Sequence, residues 1–126
     1  LDQNNESRVR NQELFLKHID GTRFRTDFEI EGSCNYAFTV VLKEPDLELR
    51  DRLEASMRKV GVEFRRGSSG GGNQMRQPYL KNYIEEDEWE QYPEVEHIHF
   101  FGWYIGNFPD LKERKIKQLC ELLNNA

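Results

Sequence analysis

The span from Tyr36 to Gly61 constrains the fold more than any other part of the chain. Tyr36-Ala-Phe-Thr-Val-Val-Leu-Lys43 is rich in β-branched and aromatic residues and stops before Pro45, which predicts a buried strand. Asp46 then offers a side-chain cap for a helix. Behind it Leu49, Leu53, Met57 and Val60 recur at helical spacing, and Gly61 is suited to end that helix in the left-handed region. A buried strand and a one-sided helix each need an apolar partner, so the chain must build at least two layers.

The flanks continue the alternation. Val9, Phe15 and Ile19, with Leu14 and Leu16 between them, predict a first helix from about Glu6 to Ile19, ended by Asp20-Gly21. The segment Phe24–Ser33 is ambiguous, at most a strand ending at Gly32. Val62–Arg66 reads as a short strand entering a glycine-rich stretch, Pro78-Tyr-Leu as one helical turn, and His97–Ile105 as a further strand. Pro109-Asp110-Leu-Lys-Glu113 opens a last helix with a D-x-x-E capping pair, its buried stripe formed by Ile116, Leu119, Cys120 and Leu123. In 126 residues this predicts one domain, a two-layer α/β sandwich with helices on one face of a small sheet.

Composition excludes several classes. An apolar share of 37% is low, but fifteen aromatics support a modest core. Cys34 and Cys120 form no CxxC pair and read as reduced thiols of an intracellular, cytoplasmic protein. No apolar run approaches the roughly 18 residues of a membrane span. Because the chain starts at Leu1 with polar residues, we expect a piece of a longer protein. The net charge of −5 is unevenly spread: residues 58–76 hold five basic side chains and one acid, and residues 85–96 hold seven acids and no base. A uniformly basic nucleic-acid surface is therefore absent. The acidic run reads as a solvated loop.

The basic segment is where chemistry could sit. Arg65-Arg66-Gly67-Ser68-Ser69-Gly70-Gly71-Gly72-Asn73 has neither P-loop nor dinucleotide-binding spacing. Its backbone amides could still approach an anion closely, with Arg65 and Arg76 adding bidentate contacts. A mobile surface loop with solvated arginines is the plain alternative, and we expect Gly67–Asn73 to be mobile in the isolated domain. Glu63 alternates with Arg65, so the two project from one strand face, as a structural ion pair or as ligand contacts. His97 and His99 share a strand face in the same reading, but no third metal ligand stands at a telling distance and His18 is remote. No nucleophile–base couple involving Cys34 or Cys120 can be defended, so we assign no catalytic residue and no metal.

Three motifs in order carry a resemblance: Val62-Glu63-Phe64-Arg65, then Gly72-Asn73-Gln74-Met75-Arg76-Gln77-Pro78-Tyr79, then Trp103-Tyr104-Ile105-Gly106-Asn107-Phe108-Pro109. They resemble the C-terminal segment of the DegT/DnrJ/EryC1/StrS family, vitamin B6-dependent enzymes acting on nucleotide-linked keto-sugars. The G-N-x-x-R-Q-P-Y run is more similar to the sugar 3-dehydrase branch than to the plain aminotransferases. The resemblance implies the C-terminal small domain of a fold-type I enzyme, a two-layer sandwich with a small mixed sheet. It implies pyridoxal or pyridoxamine 5′-phosphate held by an N-terminal large domain outside this chain, a homodimeric full-length enzyme, and no activity of the fragment alone. It also implies substrate-binding roles for Glu63, Arg65, Asn73 and Arg76: hydroxyl recognition by Glu63 and Asn73, and diphosphate pairing or orientation of Glu63 by the arginines. The Arg66–Gly72 stretch is richer in glycine than the family pattern. Beside this stand a ligand-free dimerisation or interaction domain, and an RNA-binding module using the Arg/Gly tract with Phe64 and Tyr79.

Overall fold

The computed structural model describes residues 2–30, 32–33, 35–67, 73, 76, 78–80, 82–83, 85 and 88–126. The elements run α1 (Asp2–His18), β1 (Ala37–Val41), α2 (Leu47–Val60), β2 (Arg65–Arg66), α3 (Pro93–Phe101), β3 (Gly102–Gly106) and α4 (Glu113–Asn125). Short 3-10 turns lie at Pro78–Leu80 and Glu88–Gln91. The strands form one sheet in the order β1-β3-β2. Both pairings are antiparallel, with Phe38 opposite Ile105, Val40 opposite Trp103 and Arg66 opposite Trp103 on the far side. The two-layer α/β arrangement is thus found, with an antiparallel sheet in place of the mixed one expected.

One sheet face makes the core. Phe38, Val40, Trp103 and Ile105 bury themselves against Phe15 and Ile19 of the α1 end, Leu49, Leu53 and Met57 of α2, and Ile116, Cys120 and Leu123 of α4. Phe15 stacks on Phe38 with ring centroids 4.7 Å apart. The caps of α2 are those read from the sequence: Asp46 Oδ1 accepts from the Leu49 amide at 3.0 Å, and Gly61 takes φ 80°. Segment 24–30 forms no strand; Phe24 makes a bridge to Leu42 and joins the core.

Two expected elements differ. His97–Phe101 belongs to a helix, and the strand starts only at Gly102. Pro93 in the first turn, with Glu94 and Glu96 near the positive helix end, favours that helix over the strand its aromatic content suggests. Gly102 marks the change because a Cβ there would lie 2.7 Å from the Ile98 carbonyl oxygen. The last helix starts at Glu113, with Lys112 at its cap and no side-chain capping bond. Asn107 explains the delay. It is 1% exposed, its Nδ2 donates to the Arg8 and Asn35 carbonyls at 2.9 Å, and its Oδ1 accepts from Asn11 at 3.0 Å. So anchored, the chain turns through Phe108–Leu111, with the Leu111 amide on the Phe108 carbonyl at 3.1 Å, before helix can begin.

Candidate functional site

The four residues singled out in the sequence fall into two groups. Glu63 and Arg65 both line an open groove of about 970 Å³ beside β2. Phe64, Tyr104 and Phe108 supply apolar wall there, and Arg58 and Lys115 add positive charge. Both Glu63 and Arg65 are exposed, and among the described residues neither enters an ion pair.

Asn73 and Arg76 are gathered instead by α3. Arg76 grips Glu96 side-on, Nε to Oε1 at 2.7 Å and Nη2 to Oε2 at 2.9 Å, and its guanidinium lies 5.0 Å from the Phe100 ring centre. Asn73, 2% exposed, donates its side-chain amide to the same Glu96 Oε1 at 2.7 Å and its backbone N–H to His99 Nδ1 at 3.1 Å. The carboxylate partner of Arg76 is therefore Glu96 and not Glu63. Glu96 is thus not part of the freely solvated acidic run that its neighbours suggest. Its carboxyl is held below the ordinary value by the Arg76 bond, against burial and with help from Asn73. Of the glycine stretch the structure describes the two ends, Gly67 and Asn73, both buried; residues 68–72 lie outside the described residues, as does Cys34.

His99 carries a pH signature. Burial pushes its imidazole below the ordinary value, Glu96 opposes this, and Arg76 reinforces it. Geometry agrees, since Nδ1 can accept the Asn73 N–H only while unprotonated. With the folded value lowered, the unfolded chain binds more protons in the window below about pH 6.5, so stability rises with pH there. We expect the Asn73 amide to lose hydrogen-exchange protection as pH falls through that window, and the loss to vanish in His99→Asn. Protection unchanged down to about pH 4.5 would contradict this.

A further carboxylate, fully buried, carries no local signal in the sequence. Glu54 of α2 is 1% exposed and binds Arg66 through two bonds of 2.6 and 2.5 Å and Trp103 Nε1 at 2.8 Å. The other candidates are structural. His97 and His99 sit two residues apart on a helix, not a strand, and so diverge; His97 Nε2 meets the Leu42 carbonyl at 2.5 Å. Among the described residues no group of three or more potential metal ligands gathers. Cys120 is buried, as its place in the stripe suggested, and burial pushes its thiol up to about 12. No described helix is long and apolar enough to cross a membrane.

No protein-family model matches the chain, and no curated protein matches it in sequence. Solved structures do match. An E. coli GDP-4-keto-6-deoxy-D-mannose-3-dehydratase with bound hydrated PLP superposes with a TM-score of 0.79 at 21% identity, over 97% of this chain and 31% of that one. A GDP-4-keto-6-deoxymannose-3-dehydratase with a trapped PLP-glutamate geminal diamine gives 0.73 at 21% identity, over 98% and 32%. A Streptococcus pneumoniae protein assigned as a sugar aminotransferase, in its PMP form, gives 0.73 at 13% identity, over 95% and 30%. This chain has a fold that those structures contain, and it spans about a third of their length.

Proposed function

We propose that the chain is the C-terminal small domain of a PLP- or PMP-dependent enzyme acting on nucleotide-linked 4-keto-6-deoxy sugars, by 3-dehydration or transamination. The observation that carries this reading is the superposition of 97% of the chain on a dehydratase, in a chain that also carries the E-x-R and G-N-x-x-R motifs. When bound, the cofactor supplies an electron sink for chemistry at the sugar. Among the described residues Lys17, Lys43, Lys59, Lys112, Lys115 and Lys117 are all exposed, which supports a cofactor held elsewhere. We assign the cofactor to an N-terminal large domain outside this chain, which would be this domain's partner in a full-length enzyme that forms a homodimer.

The domain's own contribution is positioning. Glu63 faces the groove as a hydroxyl acceptor, and Arg65 offers a guanidinium to the diphosphate. Asn73 and Arg76 are held by Glu96 and His99. Binding remote parts of the substrate orients the sugar for reaction elsewhere. In the full-length enzyme, Arg65→Ala and Arg76→Ala should each lower kcat/KM at least about tenfold, or about 1.4 kcal/mol. Arg65→Ala should leave the melting of this domain within about 1 kcal/mol of the parent, since it breaks no ion pair. Unchanged kinetics in both variants would leave a domain that supports the enzyme without touching ligand.

A further inference from the structure

Three arginines line one depression next to β2. Arg58, from the last turn of α2, joins Arg65 and Arg66 in lining a cavity of about 490 Å³ whose apolar wall is Phe64. One buried carboxylate sets two of them. Glu54 takes Arg66 through Nε and Nη2 at 2.6 and 2.5 Å, and its Oε1 also receives Arg58 Nη2 at 3.4 Å. The grip on Arg66 leaves its Nη1 donors outside the pair. Arg58 is further steadied over the Phe64 ring, 5.3 Å from its centre. Arg65 enters no ion pair among the described residues.

Three positive charges against Glu54 leave two uncompensated. The nearest further acids change this little: Asp51 acts on Arg66 but is paired with Arg50 at 3.2 Å, and Glu63 is exposed in the adjoining groove. Like charges held together are relieved by an anion, and arginines already oriented lose less freedom on binding one. We infer that Arg58, Arg65 and Arg66 form a binding site for a phosphate or diphosphate group, with Glu54 as the residue that positions it. A dianion matches the two excess charges, whereas a monocarboxylate matches one. The site shares Arg65 with the substrate reading but does not rest on it.

The test is titration of the 126-residue chain with inorganic pyrophosphate at fixed ionic strength, following arginine Nε–H and Phe64 amide signals by NMR. Saturable shifts are expected with a Kd of about 1 mM. Arg58→Ala and Arg65→Ala, both truncating exposed side chains, should each weaken binding about tenfold while melting as the parent does. Lys59→Ala, a neighbouring charge outside the depression, should change Kd less than about twofold. Guanosine diphosphate binding about tenfold tighter than pyrophosphate would name a nucleotide as the source of the phosphates, and equal affinity would name free phosphate. Shifts that do not saturate by about 20 mM, or equal weakening by Lys59→Ala and Arg65→Ala, would overturn the site and leave diffuse attraction only.

Discussion

Arg66→Ala is expected to cost the fold about 3 kcal/mol, although it removes a side chain that is 41% exposed. The loss lies in what remains. Glu54, 1% exposed with Arg66 present, would keep one N–H from Trp103 and a long contact to Arg58 in place of a two-bonded guanidinium. Solvent reaching the vacated position screens part of the cost, which sets the figure at the low end of the range for a broken buried pair. Replacing the acid as well, in Arg66→Ala/Glu54→Gln, should recover more than half, since the uncompensated charge has gone. Acid titration gives an independent check. Burial raises the Glu54 carboxyl, but the Arg66 and Trp103 bonds and the charges of Arg66 and Arg58 bring it below the ordinary value. A lowered folded value means a contribution present above the unfolded carboxylate value of about 4.3 and lost as pH falls through the folded one. Arg66→Ala should therefore flatten the acid limb of the stability profile. A loss below about 1 kcal/mol with the acid limb intact would show that Glu54 is not held by Arg66.

That pair also shows what could and could not be read in the sequence. Local signals were legible: the Tyr36–Lys43 run, the Asp46 cap, the Gly61 stop and the stripe through Ile116 and Leu123 all found their elements. Glu63 and Arg65 line one groove, but Val62 and Phe64 line it as well, so alternation along the segment does not account for it. Pairings across the chain were not legible. Glu54 meets Arg66 twelve residues later, and Glu96 meets Arg76 twenty residues earlier, because periodicity names a face without naming what covers it. Glu96 was hidden further by six acidic neighbours that suggested a solvated run. At His97–Phe101 the aromatic content points to a strand, but Pro93 in a first helical turn is the stronger signal.

Gly67→Ala is expected to be as damaging, by about 2–3 kcal/mol, and to carry its effect into the Asn73–Arg76 cluster. A Cβ at Gly67 would collide with the Ile98 carbonyl oxygen, and would itself lie 3.0 Å from the Ile98 carbonyl carbon and 3.2 Å from the His99 Cα. All three are backbone atoms of α3, so no flexible side-chain end can swing aside. Either the end of β2 or α3 itself must shift by tenths of an ångström in a packed interior. Both ways the register between them changes, and Glu96 and His99 lie on that helix within two residues of the contact. The Asn73 N–H bond to His99 Nδ1 and the Arg76–Glu96 grip depend on that register. Gly61→Ala separates this effect from the general cost of replacing glycine. Gly61 has φ 80° and no atom within 4 Å of an added Cβ, so its alanine variant should lose only about 1 kcal/mol through backbone strain and leave α3 in place. Denaturant unfolding of both variants, with the His99 ring and Asn73 amide followed by NMR, decides between them. Gly67→Ala should lose stability and move both signals, while Gly61→Ala should lose less and move neither. Parental stability in Gly67→Ala would mean that β2 and α3 yield to each other freely, and α3 would then be too loose a support to fix Asn73 and Arg76.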